Sequence, residues 1–244
     1  WYIYSFVDNF FVDYQKVAVW HNAYYATSND FNTAGTAYLG SSIYAYEKAK
    51  MLVGDPSAVC IRVGMTDPGG RYFSMAPVTQ EGTSASTLSG QFAFYQNDVY
   101  TSDPSDVDSL FTFTFTPNFI TPASSVISAF TRMEIAPIDD DLCPTARDAC
   151  IPQQGTAVTL EGLTGRIMNK INFRKFPAYE SMVLCMTVDA DGAGKAGIRW
   201  MELRRTTGEW SLFQQGTYSP DATYRFMPWI CQDALGNIAL VYNS

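Results

Sequence analysis

Five charged residues set inside strand-like apolar runs make the chain's most chemical pattern: Arg174, Glu180, Arg199, Glu202 and Arg204. Arginine forks grip a carboxylate through two parallel hydrogen bonds. With a tyrosine nucleophile, its carboxylate partner and an acid, such a clamp would serve glycoside cleavage. The same residues have a plainer reading. A charge inside an apolar strand is costly unless it is paired, so mutual structural bridging takes precedence and ligand contact is the alternative. Catalysis gets no further support, because the single histidine, His21, sits in Trp20-His21-Asn22, a hairpin turn with no serine signature near it.

Two acidic clusters carry the oxygen ligands that calcium prefers: Asp139-Asp140-Asp141 and Asp189-Ala190-Asp191-Gly192. The second lacks the spacing of an EF-hand loop. The aspartate triplet is the better calcium candidate, since it lies in a long insertion beside two close cysteines. Cys143 and Cys150 bracket the turn-rich loop CPTARDAC and are expected to form a disulfide. Cys60, Cys185 and Cys231 sit in apolar runs and read as buried free thiols, with a bridge between two of them left open. Tyr24, Tyr25, Tyr44 and Tyr46 offer aromatic faces for a sugar, but their strand positions favour packing.

Composition narrows the class. Hydrophobic residues make up 47% of the 244, enough for a full core, and only 16% are charged. The abundance of Ser, Thr, Tyr and Phe favours strands. A net charge of −8, with 16 basic residues scattered among 24 acidic ones, excludes a phosphate-binding surface for nucleic acid. The longest uncharged stretch, 109–131, contains Pro117 and Pro122 and reads as strands and a turn rather than a membrane span.

Helical periodicity is nearly absent apart from a turn or two within YAYEKAKMLVG, closed by Gly54. The remaining apolar runs group in fours. DYQKVAVW, AYYATSN, SIYAYEK and AVCIRVGM make the first group. RYFSMAPV, QFAFYQN, SLFTFTFT and SVISAFTRMEI make the second, and RIMNKINFRKF, ESMVLCMTV, GIRWMELRR and EWSLFQQGTY the third. WYIYSFV would end an earlier group, while RFMPWICQDA and NIALVYNS would begin a later one. First strands then start near Tyr14, Arg71, Arg166 and Arg225, each repeat being longer than the roughly 40–50 residues a propeller blade needs. The expected fold is therefore all-β: a β-propeller of four-stranded antiparallel blades, with about three complete blades and partial blades at both ends. A β-sandwich is the structural rival. Both ends look like cuts through a longer polypeptide, so further domains of the same chain are expected.

CIPQ, Arg174 with Glu180, GIRWMELR, WSLFQQGTYSP and DALGNIAL, together with DYQKVAVWHNAYYATSNDF and YAYEKAKMLVGDPSA, resemble a group of largely uncharacterised exported bacterial proteins with sialidase-like propellers. The chain departs from that group at Gln15, His21 and Tyr179, none of them a catalytic position. Ser219, Asp221 and Phe226 fit the Asp-box turn of such propellers, but Thr223 replaces its glycine. The resemblance implies a secreted or cell-surface module for recognition, adhesion or assembly, meeting protein or glycan partners. Two alternatives stand beside it: a sialidase-like glycoside hydrolase, and a subunit of an extracellular fibre or surface layer.

Overall fold

The computed structural model describes residues 1–66, 70–83, 86, 88–100, 106–145 and 148–244. It is all-β, with curled sheets that include a half-barrel. Its one α-helix among the described residues is α1 (Lys48–Leu52), followed by Gly54 at a φ of 73° where a side chain would be strained. No helix among the described residues is long and apolar enough to cross a membrane.

The strands fall where the apolar runs place them. β1 (Phe11–Val19), β2 (Tyr24–Phe31), β3 (Tyr38–Tyr46) and β4 (Cys60–Met65) form an antiparallel sheet in chain order. β5 (Ala76–Glu81), β6 (Gly90–Gln96) and β7 (Ser109–Thr116) form the second meander. Its fourth member is broken into β8 (Val126–Ile127) and β9 (Thr131–Glu134), both paired to β7. β10 (Ala149–Gln153) and β11 (Thr156–Glu161) make a hairpin inside the insertion. The third meander is β12 (Ile171–Lys175), β13 (Glu180–Asp189), β14 (Ala196–Arg205) and β15 (Ser211–Tyr218). β16 (Phe226–Gln232) and β17 (Ile238–Asn243) close the chain as a second hairpin.

Two expectations are corrected here. The first group of four stands as its own sheet, but the second and third do not. β12 pairs with β5 in parallel, Ile171 opposite Val78 and Phe173 opposite Gln80, and this fuses the second and third meanders into one nine-stranded sheet. WYIYSFV is not a strand. Its backbone finds no ladder partner among the described residues, although Phe6 packs on Tyr46 at 5.5 Å and the Tyr4 hydroxyl reaches the carbonyls of Lys50 and Met51 at 3.4 Å.

Burial follows the pleat. On β13, Met182, Leu184, Met186 and Val188 enter the main core, while Val183 and Cys185 face the β16–β17 hairpin and pack with Ile198 and Ile230. Both faces are covered, which explains the continuous apolar run MVLCMTV. The first strands meet at the centre of the main core. Trp20, 1% exposed at the end of β1, sets its indole edge-on to Phe173 at 5.0 Å and donates to the Leu88 carbonyl at 2.9 Å. Phe173 in turn meets Trp210 at 6.2 Å. Buried polar groups fix the start of β5 against the first sheet: Thr27 Oγ1 donates to the Met75 carbonyl at 2.7 Å, and the Ser74 amide donates to Asn29 Oδ1 at 2.8 Å.

A backbone feature repeats with the meanders. Tyr14, Ser74, Asn169 and Met227 all have positive φ, between 46° and 58°, and each lies in or just before a first strand. Left-handed non-glycine residues are uncommon. Their recurrence marks an internal repeat that residue identity barely shows.

Candidate functional site

Alternation along β14 separates three of the five sequence candidates. Glu202 and Arg204 project from one face toward the hairpin, whereas Arg199, an odd number of residues away, projects from the other. Glu202 is fully buried. Its Oε1 accepts from Arg204 Nε at 2.6 Å, Ser181 Oγ at 2.8 Å and Gln232 Nε2 at 3.3 Å, and its Oε2 accepts from Gln214 Nε2 at 2.6 Å. Burial alone would raise its pKa, but the hydrogen bonds from Arg204, Ser181 and Gln214 outweigh it and hold the carboxyl below its usual range. Arg204 is stacked between Tyr179 and Phe213, at 4.2 and 3.5 Å from their ring centres.

Arg174 shares the Glu202 face, since it stands opposite Ser181, which stands opposite Arg204. Its Nε donates to the Gln232 carbonyl at 3.1 Å, and Asn172 on the same strand donates to the Ile230 carbonyl. Glu180 takes Arg205 Nε at 2.7 Å across the β13–β14 ladder. The charges therefore clamp the β16–β17 hairpin onto the sheet and pair with one another. Three arginines do not converge on one carboxylate-sized space among the described residues, and Arg174, Glu180, Glu202 and Arg204 make structural contacts.

Arg199 belongs elsewhere. Its terminal nitrogens donate to the carbonyls of Ala136 at 3.3 Å and Pro137 at 2.9 Å, while its buried Nε has no partner among the described residues. It lines an open depression of about 850 Å³ with Asn97, Ile138, Asp139, Asp141 and Asp189. One wall is the insertion segment 137–141, and another is the β13–β14 turn, joined by the Asp189 amide donating to the Asp139 carbonyl at 2.8 Å.

The three aspartate side chains do not converge on one point among the described residues. Asp140 is buried and spends its carboxylate on the Tyr95 hydroxyl and on Asn97 Nδ2, the latter at 2.8 Å. Burial nevertheless raises its pKa, outweighing those bonds. Asp139 Oδ1 accepts from the Asp141 amide at 3.1 Å, closing a local turn. Asp189 likewise accepts from the amides of Asp191, Gly192 and Gly194. No three acidic, cysteine or histidine side chains are grouped to hold a metal among the described residues.

Cys143 and Cys150 are joined by a disulfide; Ala146 and Arg147 of that loop lie outside the described residues. The bridge closes a loop of separation 7 beside the depression. Replacing both cysteines with serine is expected to cost about 2 kcal/mol through freed loop entropy, read from urea unfolding. Cys60, Cys185 and Cys231 are free, and only Cys185 is fully buried. Burial first, and then nearby Asp8, push the Cys60 thiol up to about 11. Cys231 is exposed, because it alternates onto the outer face of β16. His21 lies in the β1–β2 turn, with its pKa lowered by burial and by Lys48. Asp221 grips Arg225 through both carboxylate oxygens, at 2.9 and 2.8 Å, and accepts the Thr223 amide at 2.8 Å, so the half-matched Asp-box is a structural turn.

Sequence reasoning did not single out Asn97, Asp108 or Pro137, which shape the depression or its support: the Asp98 amide donates to Asp108 Oδ1 at 2.8 Å, and the Ile138 amide to its Oδ2. No strand periodicity marks them, since Asn97 and Asp108 lie in the β6–β7 connection and Pro137 follows β9, all outside the strands. Comparison of the chain with protein-family models, with curated proteins and with solved structures finds no match.

Proposed function

We propose that this chain is a secreted or cell-surface recognition module, built from propeller-type four-stranded units and binding its protein or glycan ligand in the depression beside the insertion. The observation that carries the reading is the division of labour among polar groups. Glu180, Glu202, Arg204 and Arg205 within the strands are consumed by pairing, whereas the depression is lined mainly by loop side chains, joined by Arg199 of β14, on a rigid scaffold. The three successive meanders with central first strands support the propeller-type units. The disulfide suits an oxidising compartment, which supports export.

A screen of the intact protein against glycans and surface-protein ectodomains tests this. A saturable ligand is expected whose affinity falls about tenfold or more on Asp141→Ala or Arg199→Met, in keeping with the loss of a polar anchor. Binding indifferent to both substitutions would overturn the site. Release of reducing sugar from a bound glycan would favour the glycoside hydrolase instead.

A second reading, assembly into a fibre or surface layer, draws on exposed apolar side chains. Trp229 and Val241 stand opposite each other on the outer face of the last hairpin, 49% and 65% exposed, and Trp1, Ile3 and Val7 are also open. Light scattering distinguishes it: assembly predicts concentration-dependent mass growth that Trp229→Asp abolishes.

A further inference from the structure

β1 and the segment leading into β12 bring two cations to one aromatic ring. Lys16 Nζ stands 3.7 Å from the centre of the Tyr14 ring, and the Arg166 guanidinium stands 5.1 Å from it. Arg166 also lies 5.6 Å from the Phe73 ring, just ahead of β5. Tyr14 reaches this position through a left-handed backbone, φ 49°, where the β1–β2 register slips between Asp13 and Lys16. Its hydroxyl donates to the Ile167 carbonyl at 3.2 Å, tying the bulge of β1 to the segment before β12. A bulky residue held at positive φ is strained, and such strain collects where a side chain must be aimed.

Arg62, Arg132, Arg204, Arg205 and Arg225 each hold a carboxylate within ion-pair distance. Lys16 and Arg166 hold none among the described residues, in a chain with 24 acidic side chains against 16 basic ones. Arg166 donates Nε to the Thr164 carbonyl at 3.1 Å and leaves its terminal nitrogens without a partner among the described residues. Both side chains are partly buried. Burial first, and then Arg166, depress the lysine pKa, with only Asp13 opposing. Two like charges drawn together without a counter-ion leave a concentration of positive potential that an anion would relieve.

We propose that Lys16 and Arg166 form an oxyanion site where the first strands meet, taking the carboxylate, sulfate or phosphate group of an acidic ligand. The guanidinium edge supplies two parallel donors and the ammonium a point charge, a combination suited to one small oxyanion. The inference stands apart from the loop depression, whose lining does not include either residue.

The test is titration of the intact protein with sodium acetate, sulfate and phosphate at constant ionic strength, followed by arginine side-chain NMR. Uronate-bearing and sulfated oligosaccharides then distinguish a carboxylate source from a sulfate source. Saturable binding of at least one anion is expected, with the Arg166 Nε–H signal shifting. Lys16→Met and Arg166→Met should each weaken it about tenfold, as for loss of one partner of a charge-assisted contact. Urea unfolding separates this role from a structural one. Removing one of two repelling charges should leave the unfolding midpoint unchanged or raised, whereas a structural role would lower it. Asp141→Ala should leave anion binding intact. Absence of saturable binding by all three anions, or binding retained in the Lys16→Met/Arg166→Met double variant, would overturn the proposal.

Discussion

Trp20→Ala is expected to lower stability by about 3–5 kcal/mol, the range for deleting a large buried aromatic. Trp20 is 1% exposed and lies where the first and third meanders meet, edge-on to Phe173 and bonded to the Leu88 carbonyl. Removing the indole opens a cavity at that junction, and the loss is a large part of the roughly 5–15 kcal/mol available to a folded protein. Trp20→Phe should cost less, about 1–2 kcal/mol, because the ring volume is largely kept while the Leu88 carbonyl loses its donor. Urea unfolding of the three proteins checks the order. Equal stabilities would show that the meanders do not depend on this junction.

Glu202→Ala is the second large effect, at about 3–5 kcal/mol, since removing one partner of a buried pair strands the others. Arg204, Ser181, Gln214 and Gln232 all donate to this carboxylate, and Gln232 belongs to the last hairpin. The variant should therefore loosen β16–β17 first, seen as faster amide exchange at Ile230 and Gln232. A pH dependence follows from the same network. The folded carboxyl titrates below its ordinary value of 4.5, so the unfolded chain binds more protons in the interval between the two values. The stabilisation is thus complete above about pH 4.5 and is lost as pH falls through the folded value. Glu202→Gln, which keeps the shape without the charge, should flatten that acid limb of the stability curve. An unchanged limb would show that Glu202 is not the group responsible.

The strands were legible because their side chains answer to local geometry. RIMNKINF, MVLCMTV and SLFTFTFT carry the signature of pleated segments; the last two are found as strands within a residue or two of their runs, while β12 takes up only the second half of the first. The parallel pairing of β5 with β12 was not legible, because it joins segments about ninety residues apart and leaves no local pattern. The insertion hairpin was missed for another reason. β11 is solvent-exposed along nearly all its length, so it lacks the alternation that marks a half-buried strand. Within the candidate site, nearness in sequence misled: Arg199 and Glu202 lie three apart on one strand, and an odd separation sends them to opposite faces. Disulfide pairing was readable from spacing alone, as Cys143 and Cys150 show. Exposure of Cys231 was not, because its neighbours Ile230 and Gln232 are the buried members of the alternation.

The account rests on the first strands of successive meanders meeting side by side around Trp20. Nuclear Overhauser contacts across β5 and β12 probe this directly. Backbone contacts linking Val78 with Ile171 and Gln80 with Phe173, together with indole-to-ring contacts between Trp20 and Phe173, are the predicted result. A Trp20 indole without contact to Phe173, or β5 and β12 each paired to some other strand, would contradict it.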